Sequence, residues 1–392
     1  MVGGGPAGLT AAIALARAGV ETVLVSKRPP QAGHRTTALL LGSVTALDAL
    51  GVWDRCQAQA APLRAMRIVD DTARLVRAPE ITFEAAEIGL DAFGYNMENR
   101  HLLGALDGRA GELGAITRID DEARMIDVSA RGVTIALKSG NEVAARLVVG
   151  ADGRRSLCRA AAGIESDGRT YPQTALTFNL GHARPHRDVS TEFHTPTGPF
   201  TLVPLPGRRS SLVYVTDPAS ARAVTDMDDA ALALELERRA HSILGSLTIE
   251  PGRGAFPLVM ETARRFAGDR VALVGEAAHV LPPIGAQGLN LGLRDAATIV
   301  EIVVDARRAG ADVGAAHVLA HYDALRRPDV TSRALAVDFL NRTLLSDFLP
   351  LQGARQLSFF LLQRIGPLRR ALIREGVAPT GSQPRLMRGE TL

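Results

Sequence analysis

Residues 270–295 combine acids, a histidine, prolines and glycines within one short stretch. Residues 271–274 form an apolar run that predicts a buried strand, which stops at Gly275–Glu276. Pro282–Pro283 prevents regular helix in the loop that follows, and glycines there allow close approach of the backbone. Helical spacing begins at Leu289, and the unpaired amides at a helix start suit an anion. The segment predicts a strand, a rigid loop and an anion-binding helix start, with an ordinary proline-stiffened connection as the structural alternative.

The chain opens with a second pattern, Gly-x-Gly-x-x-Gly, which spans Gly3, Gly5, Pro6, Ala7 and Gly8. Alanine-rich helical spacing follows over residues 9–18, and a strand is predicted over residues 21–25. Glycines at this spacing permit a tight turn, close approach of a pyrophosphate and close packing of the helix on the strand. The pattern therefore predicts a dinucleotide whose pyrophosphate lies at the helix end.

Two features depart from that pattern. Only Met1 and Val2 precede Gly3, where a buried central strand is expected, and without that strand neighbouring backbone groups would be unpaired. A start site assigned too far downstream is the explanation we favour. The second departure is Ser26, which stands where an acid normally binds ribose hydroxyls. Adenosine binding is therefore expected to be weaker, or to use Ser26 and its neighbours differently.

Three other polar residues have positions that suit the same ligand. Asp152 follows a predicted strand over residues 146–149 and can accept hydrogen bonds from ribose hydroxyls or from backbone amides. An Asx turn is the structural alternative for this residue. Arg35 follows the first strand-helix-strand unit, and Arg100 lies in a predicted helix over residues 98–106. A guanidinium at Arg35 can reach a phosphate or remain in a solvated loop, and Arg100 can direct its charge toward a cofactor.

The composition excludes several classes of function. The chain has 45 Lys plus Arg and 42 Asp plus Glu, a formal net charge of +3, which is too balanced for a dedicated nucleic-acid binder. Cys56 and Cys158 lack the spacing of a disulfide framework or a zinc site, so no metal site is predicted and a reducing compartment is expected. Neither an apolar stretch of about 20 residues nor a signal peptide is visible, so we expect a cytoplasmic protein or one at a membrane surface.

The elements that must position these residues indicate an α/β protein with more than one domain. Residues 171–215 alternate as antiparallel strands do, between segments in which strands and helices alternate. After the helix that ends near residue 308, two more helical segments are predicted, residues 313–326 and 331–375. We expect a Rossmann-like binding domain built from residues 1–65, 96–165 and 266–330, an inserted, mostly antiparallel β-sheet substrate domain built from residues 66–95 and 166–265, and a C-terminal helical region, residues 331–392.

The order of the motifs resembles that of one known family. The motifs are Gly3-x-Gly5-x-x-Gly8, then Asp152-Gly153, then Gly275-Glu276 followed by Pro283-x-Gly285-x-x-Gly288-x-Asn290. This order resembles the single-component FAD-dependent aromatic hydroxylases of the p-hydroxybenzoate hydroxylase class. Residues 275–295 and 35–39 look most like the ubiquinone-biosynthesis hydroxylases of the UbiH type, and the resemblance covers about the whole chain.

The resemblance implies that NAD(P)H reduces FAD and that O2 then hydroxylates an electron-rich phenol ring. The cofactor-binding residues that follow from it and from the motifs are Gly3, Gly5, Pro6, Ala7, Gly8, Ser26, Arg35, Arg100, Asp152, Gly275, Glu276, Pro283, Gly285, Gly288, Leu289 and Asn290. Glu276 stands where the family more often has Asp, and its longer side chain can still accept a hydroxyl group. By the same resemblance, amides at the second helix start stabilise the negative charge of reduced flavin, and Pro283 lines the face where oxygen reacts.

The resemblance leaves the substrate and the catalytic residue open. His279 lies beside the predicted flavin loop, where capping or packing is the alternative to proton transfer. The substrate is either a polyprenylated phenol of ubiquinone biosynthesis or a soluble aromatic compound of catabolism or polyketide tailoring. Residues 331–375 alternate Leu and Phe with Arg, which suits peripheral contact with the inner face of a membrane or a core helix with a charged face. Ser26 and the missing strand support a third hypothesis, in which the protein is a non-catalytic subunit of a multi-enzyme biosynthetic complex.

Overall fold

A computed structural model describes residues 1–27, 34–72, 77–345, 360–377 and 383–392. Parts of the predicted domains lie outside the described residues: 28–33, 73–76, 346–359 and 378–382. The helices of the described chain are α1 (Pro6–Arg17), α2 (Leu41–Ala49), α3 (Asn99–Gly111), α4 (Leu157–Ala161), α5 (Pro218–Thr225), α6 (Asp229–Arg239), α7 (Gln287–Arg308), α8 (Ala316–Leu345) and α9 (Gly366–Val377). Short 3-10 turns occupy Trp53–Arg55, Gln57–Gln59, Ala85–Ile88, Gly275–Ala277 and Arg385–Arg388.

The first strands in chain order are β1 (Thr22–Val25), β2 (Thr36–Leu40), β3 (Ala61–Pro62), β4 (Ala65–Asp70), β5 (Ile81–Glu84), β6 (Gly94–Glu98), β7 (Ile116–Ile119), β8 (Ala123–Val128), β9 (Val133–Leu137), β10 (Glu142–Ala145) and β11 (Val148–Gly150). The remaining strands are β12 (Ser166–His182), β13 (Val189–Thr195), β14 (Gly198–Leu205), β15 (Arg209–Thr216), β16 (Leu247–Ile249), β17 (Gly254–Ala263), β18 (Ala267–Gly268), β19 (Val271–Leu273) and β20 (His279–Val280).

Val2 joins two pairs of parallel strands near the start of the chain. Strand β1 pairs with β7, and β11 pairs with β19, each in parallel. Val2 makes isolated parallel bridges to Val25 in β1 and to Gly150 in β11. The amide of Val25 donates to the carbonyl of Met1, and the amide of Ala151 donates to the carbonyl of Val2. The expected unpaired groups at these positions therefore have partners, because residues 1–3 run between the two strands.

The apolar residues of the opening helix explain where the first core lies. In α1 all residues from Ala7 to Ala16 are buried, so the helix has neighbours on every side. It packs between α7 and α3, beside the parallel strands. The same apolar cluster includes Leu386 and Met387 from the C-terminal end. This core supports the two helix starts that the sequence marks as binding sites.

The large sheet has the strand order β20-β17-β12-β15-β14-β13-β4-β5, with β16 paired to β12. All its neighbouring strands are antiparallel except β13 and β4. Leu176, Phe178, Leu212 and Tyr214 form a core on one face with side chains from α5 and α6. Because side chains alternate along a strand, the opposite face carries a different set of residues. The α/β class and the mostly antiparallel inserted sheet are confirmed.

The prediction of two separate helices after residue 312 is wrong. Helix α8 continues from Ala316 to Leu345 with Pro328 inside it. Proline removes one backbone donor, but Asp329 pairs with Arg326 on one side of it and with Arg333 on the other. The Arg326–Asp329 pair crosses the position of Pro328, and the Arg333–Asp329 pair follows it. The helix also crosses residue 330, so the division of the chain into the three predicted parts stays a prediction.

Candidate functional site

The glycines of the opening pattern differ in what surrounds them. A Cβ on Gly3 would lie 2.2 Å from the carbonyl oxygen of Ala151, and a Cβ on Gly8 would lie 2.1 Å from the carbonyl oxygen of Gly3. Gly3 also has a φ of 108°, which glycine adopts without a steric penalty. At Gly5 no described atom lies within 4 Å of an added Cβ. The backbone is tight at Gly3 and Gly8 and leaves room for a ligand at Gly5.

The unpaired amides at the start of helix α1 face the open space beside Gly5. It begins at Pro6, directly after Gly5, with Ala7 in its first turn, and none of the described side chains caps it. Its first turn holds no acid, so nothing there offsets the partial positive charge of the helix start. Ser26, at the end of β1, is half-buried, and its Oγ would lie 2.4 Å from a Cβ on Gly4. An anionic group fits in front of α1, with Ser26 nearby.

The glycine pattern that opens the chain and the motif that begins at Gly275 meet at Gly275. This residue has a φ of 61°, and a Cβ on it would lie 3.4 Å from the Cβ of Ala7. A Cβ on Gly292, in α7, would lie 3.0 Å from the Cα of Gly275. Helices α1 and α7 therefore both contact the turn at Gly275. Two patterns about 270 residues apart in the sequence form one site.

Glu276 is the accessible acid of this site. The turn Gly275–Ala277 buries its first and last residues and exposes Glu276. An exposed carboxylate can accept hydrogen bonds from hydroxyl groups of a ligand without losing an internal partner. Its position next to the start of α1 suits the predicted role in binding a ribose or ribityl hydroxyl.

The buried carboxylate of Asp295 holds the turn from behind. Its Oδ2 accepts hydrogen bonds from the amide of Gly275 at 3.0 Å and from Nε2 of His279 at 2.6 Å. Its Oδ1 accepts from Nε of Arg326 at 2.8 Å. Burial alone would raise the pKa of Asp295, but the charges of His279 and Arg326 outweigh it and place the pKa below its ordinary value. His279 is itself buried, so its contacts favour packing over proton exchange with a ligand.

The loop before α7 has the rigid, open form that the sequence predicts. Pro282 is buried, whereas Pro283 and Gly285 are exposed. Ala286 precedes the helix with a φ of 54°, a left-handed conformation that non-glycine residues rarely adopt. No described side chain caps α7, and its first turn holds no acid. The half-buried residues Gly288 and Leu289 lie in this turn, so their amides are available to a negatively charged group.

The side chain of Asn290 has four partners within the protein, and the predicted contact of its backbone amide with a cofactor stays a prediction. Its Oδ1 accepts from the amide of Leu40 at 2.8 Å and from Oγ of Ser43 at 2.7 Å. Its Nδ2 donates to the carbonyls of Ala38 at 2.8 Å and Ala286 at 2.6 Å. The side chain thus ties α7 and its strained N-cap to β2 and α2. Any contact of Asn290 with a cofactor would involve its backbone.

Asp152 uses its carboxylate within its own segment. Oδ1 accepts from Oγ of Ser156 at 2.6 Å, and Oδ2 accepts from the amide of Cys158 at 3.1 Å. These bonds hold the start of α4, and because the backbone bond reaches six residues on, it differs from the Asx turn that was the alternative for this residue. A direct contact between Asp152 and a cofactor stays a prediction.

Arg35 and Arg100 lie on neighbouring segments, because the amide of Asn99 donates to the carbonyl of Arg35 at 2.8 Å. The guanidinium carbon of Arg35 lies 4.9 Å from the ring centre of Phe256, in a cation–π contact. Nη2 of Arg100 lies 2.7 Å from the carboxylate of buried Glu98. Both arginines are exposed, so they can also meet a ligand, although the sequence did not indicate either partner.

The structure therefore brings together Gly5, Pro6, Ala7, Ser26, Gly275, Glu276, Gly288 and Leu289 around two uncapped helix starts. Sequence reasoning missed the supporting residues Asp295, Arg326 and Ser43. Asp295 bonds Gly275 and His279 at 20 and 16 positions, Arg326 bonds Asp295 at 31 positions, and Ser43 bonds Asn290 at 247 positions. No local pattern marks these contacts.

Comparison with known proteins assigns the family. The family described as FAD binding domain matches residues 1–334. Ubiquinone hydroxylase UbiL of Rhodospirillum rubrum is 39% identical, over 100% of this chain and 92% of the relative. The 3-demethoxyubiquinol 3-hydroxylase of Escherichia coli is 31% identical, over 95% of this chain and 96% of the relative.

Solved structures share the fold. The crystal structure of p-nitrophenol 4-monooxygenase PnpA from Pseudomonas putida covers 97% of this chain and 97% of its own, with 22% identity and a TM-score of 0.75. At this identity the likeness concerns the fold alone. It extends over both the parallel and the antiparallel sheets of this chain.

Proposed function

Because this chain belongs to the FAD binding domain family, we propose that it is an FAD-dependent monooxygenase that uses NAD(P)H and O2 to hydroxylate an aromatic ring in ubiquinone biosynthesis. Two relatives above 30% identity support this function, since they are named as a ubiquinone hydroxylase and a 3-demethoxyubiquinol 3-hydroxylase. Each aligns with nearly the whole of this chain, so the comparison includes the inserted sheet and the C-terminal region.

The contact among Ala7, Gly275 and Gly292 carries the proposal, because it places two uncapped helix starts and one exposed acid around the same region. This arrangement fits FAD. The amides after Gly5 would hold the pyrophosphate, and Glu276 would accept a hydroxyl group of the ribose or ribityl chain. When bound, FAD supplies the transfer of electrons from NAD(P)H and the activation of O2.

The start of α7 would meet the flavin ring. Amides of Gly288 and Leu289 would stabilise negative charge near N1 of reduced flavin, because a preorganised helix start needs little rearrangement when that charge forms. Pro283 is exposed in the loop before the helix and would line the face where oxygen reacts. Roles for Arg35, Arg100 and Asp152 in binding FAD or the pyridine nucleotide are part of this proposal.

The open face of the large sheet would bind the aromatic ring. It is the face opposite α5 and α6, and Asn96 from β6 reaches it by donating to Oγ of Ser211 at 3.2 Å. Near this contact Thr177, Thr201 and Val213 are paired across three strands and are half-buried. Part of this face is covered by the cluster of Tyr171, Ala175, Val215 and Leu258, and the half-buried side chains beside that cluster would contact the ring.

The test of this function is product formation by the FAD-loaded protein. Purified protein should be yellow, and consumption of NAD(P)H should increase when a prenylated phenol is present. With ¹⁸O2, mass spectrometry should find one labelled oxygen on the ring. An FAD-loaded protein that consumes NAD(P)H equally without the phenol and never labels it would contradict the proposal. Soluble phenols tested in parallel distinguish the catabolic or tailoring alternative.

We also propose that the C-terminal helix contacts a membrane surface that carries the substrate. Residues 360–364 and α9 are helical, and they expose Leu361, Ile365, Leu368 and Leu372 at spacings that place them on one face. Ile373 faces inward against Ile81 and Phe83. Arg364, Arg370 and Arg374 are exposed beside the apolar stripe, a charge that complements anionic lipid headgroups. No helix among the described residues is long and apolar enough to cross a membrane.

Liposome flotation tests this contact. The Leu368→Asp/Leu372→Asp double variant should lose flotation with vesicles that contain anionic lipid. Leu234→Asp is the matched control, because Leu234 is 70% exposed on α6 and lies outside the stripe. Equal flotation of both variants, or none by the unmodified protein, would refute the membrane contact and favour a soluble substrate.

A further inference from the structure

Arg333 on α8 reaches the start of α7 from outside every cofactor motif. Its Nη1 donates to Oε1 of Gln287 at 3.2 Å, and Gln287 is the first residue of α7. The side chain of Gln287 in turn donates from Nε2 to the carbonyl of Gly285 at 3.0 Å. One guanidinium is thus linked through one amide to the loop that would meet the flavin. Ala286, in its left-handed conformation, lies between the two residues that this bridge holds.

Asp329 fixes the guanidinium in that position. It accepts from Nε of Arg333 at 3.0 Å, from Nη1 of Arg294 at 2.8 Å and from Nη1 of Arg326 at 2.7 Å. Burial alone would raise the pKa of Asp329, but the charges of Arg326 and Arg294 keep it well below its ordinary value. The carboxylate therefore stays ionised at neutral pH.

The less exposed part of this cluster has more guanidinium groups than carboxylates. Two carboxylates, Asp295 and Asp329, face three guanidinium groups, Arg294, Arg326 and Arg333. A third carboxylate, Glu375 of α9, lies 3.9 Å from Nη2 of Arg333, but its side chain is 59% exposed and its charge is screened by solvent. Arg333 is the member of the cluster that bonds to the first residue of α7.

We propose that Arg333 is a positioning residue for the flavin: it holds the loop through Gln287 and keeps a positive charge beside the start of α7. This proposal rests on the proposed binding of flavin at that helix start. Reduced flavin carries negative charge that the oxidised form lacks, so a nearby cation stabilises the reduced form more. The same cation raises the midpoint potential of the bound flavin.

Two variants of Arg333 separate its charge from its geometry. Arg333→Gln removes the charge, and Arg333→Lys keeps it but cannot reproduce the two directed bonds to Asp329 and Gln287. Arg327→Gln is the matched control, because Arg327 lies on the same helix, pairs with Asp323 at 3.2 Å and is 53% exposed. Gln287→Leu leaves Arg333 in place and removes the bridge to Gly285.

The midpoint potential of bound FAD, the dissociation constant of oxidised FAD and thermal unfolding are measured for each protein. We expect a lower potential in Arg333→Gln, a potential near that of the unmodified protein in Arg333→Lys, and no change in Arg327→Gln. Weaker FAD binding is expected in Arg333→Gln and in Gln287→Leu, because the loop loses its bridge. If Arg333 had a purely structural role, the unfolding temperature would fall, but the midpoint potentials of Arg333→Gln and Arg333→Lys would not differ.

Two results would overturn the proposal. One is an unchanged potential and unchanged FAD affinity in Arg333→Gln. The other is an equal shift in Arg327→Gln, which would indicate a general effect of net charge. If Arg333→Gln binds too little FAD for its potential to be measured, a potential of Arg333→Lys clearly below that of the unmodified protein also overturns the proposal. Failure of the proposed function is distinct, since the unmodified protein would then take up no FAD or hydroxylate no phenol.

Discussion

Nε2 of His279 lies 2.6 Å from Oδ2 of Asp295, and both side chains are fully buried behind the turn that exposes Glu276. The same carboxylate oxygen accepts the amide of Gly275. One acid in α7 therefore fixes both ends of residues 275–279, the segment that would present Glu276 to FAD. This relationship explains why a carboxylate lies in the apolar interior of the protein.

Replacing Asp295 with Asn should destabilise the fold strongly. The variant removes the carboxylate that the buried side chains of Arg326 and His279 face, while Arg326 keeps its ion pair with Asp329, and breaking a buried ion pair costs about 3–5 kcal/mol. Urea unfolding of the FAD-free protein measures the change. Asp305→Asn, also in α7, is the control: Asp305 is 54% exposed and pairs with Arg385, so a change of about 0–1 kcal/mol is expected. Equal effects of the two variants would argue against the role of Asp295.

Alanine at Gly5 and at Gly8 should have opposite consequences. Gly8→Ala places a Cβ 2.1 Å from a backbone oxygen and should destabilise the protein even without FAD. Gly5→Ala meets no described atom within 4 Å and should leave the unfolding temperature unchanged. Its methyl group would occupy the space for the pyrophosphate, so the dissociation constant for FAD should rise about tenfold or more, about 1.4 kcal/mol. Gly104→Ala in α3 is the control for both variants. Normal FAD binding by Gly5→Ala would show that the pyrophosphate does not lie at this position.

Asn290→Ala should loosen α7 from β2 and α2. It leaves the buried hydroxyl of Ser43 and the amide of Leu40 without their acceptor, and each unsatisfied group costs about 1–3 kcal/mol. We expect a lower unfolding temperature and weaker FAD binding, measured by calorimetry and by quenching of flavin fluorescence. Asn141→Ala, in an exposed turn, should change neither. Unchanged stability of Asn290→Ala would show that the four contacts contribute little.

The attachment of α9 should weaken in acid. A side-chain hydrogen bond from Arg369 outweighs the effect of burial and holds the pKa of Glu87 below its ordinary value of 4.5. A carboxylate with a lowered pKa in the folded state stabilises the protein fully above its unfolded pKa, and this stabilisation is lost as the pH falls through the folded value. Stability should therefore fall below about pH 4.5.

Glu87→Gln tests that source of the acid sensitivity. The variant should reduce the dependence of unfolding free energy on pH between about pH 3 and 5, with Glu142→Gln as an exposed control. Protease cleavage near α9 should increase in the variant at neutral pH, because Arg369 loses a bidentate partner at 2.5 and 2.6 Å. If the unfolding free energy of Glu87→Gln depended on pH as that of the unmodified protein does, other carboxylates would cause the loss of stability in acid.

Residues 270–295 show which structural features local sequence can predict. The run at residues 271–274, the stop at Gly275 and the prolines predict a strand, a loop and a helix, and the structure has β19, a turn and α7 in that order. Glycine and proline restrict or free the backbone at their own positions, so such signals are readable without the fold. The single helix α8 was missed because proline normally interrupts a helix, whereas the buried residues Tyr322 and Val330 pack α8 against the core on both sides of Pro328.

The sequence by itself determined the α/β class, the two helix starts and the acid that follows the strand at residues 271–274, because each depends on residues close together in the chain. Only the tertiary structure decided which polar groups face a ligand. In the structure Asp152 bonds to Ser156, and the side chain of Asn290 donates to the carbonyl of Ala38. Arg35 contacts the ring of Phe256, and Asp295 accepts the amide of Gly275. A side chain's partners depend on which segments meet in space, and that information is not contained in local spacing.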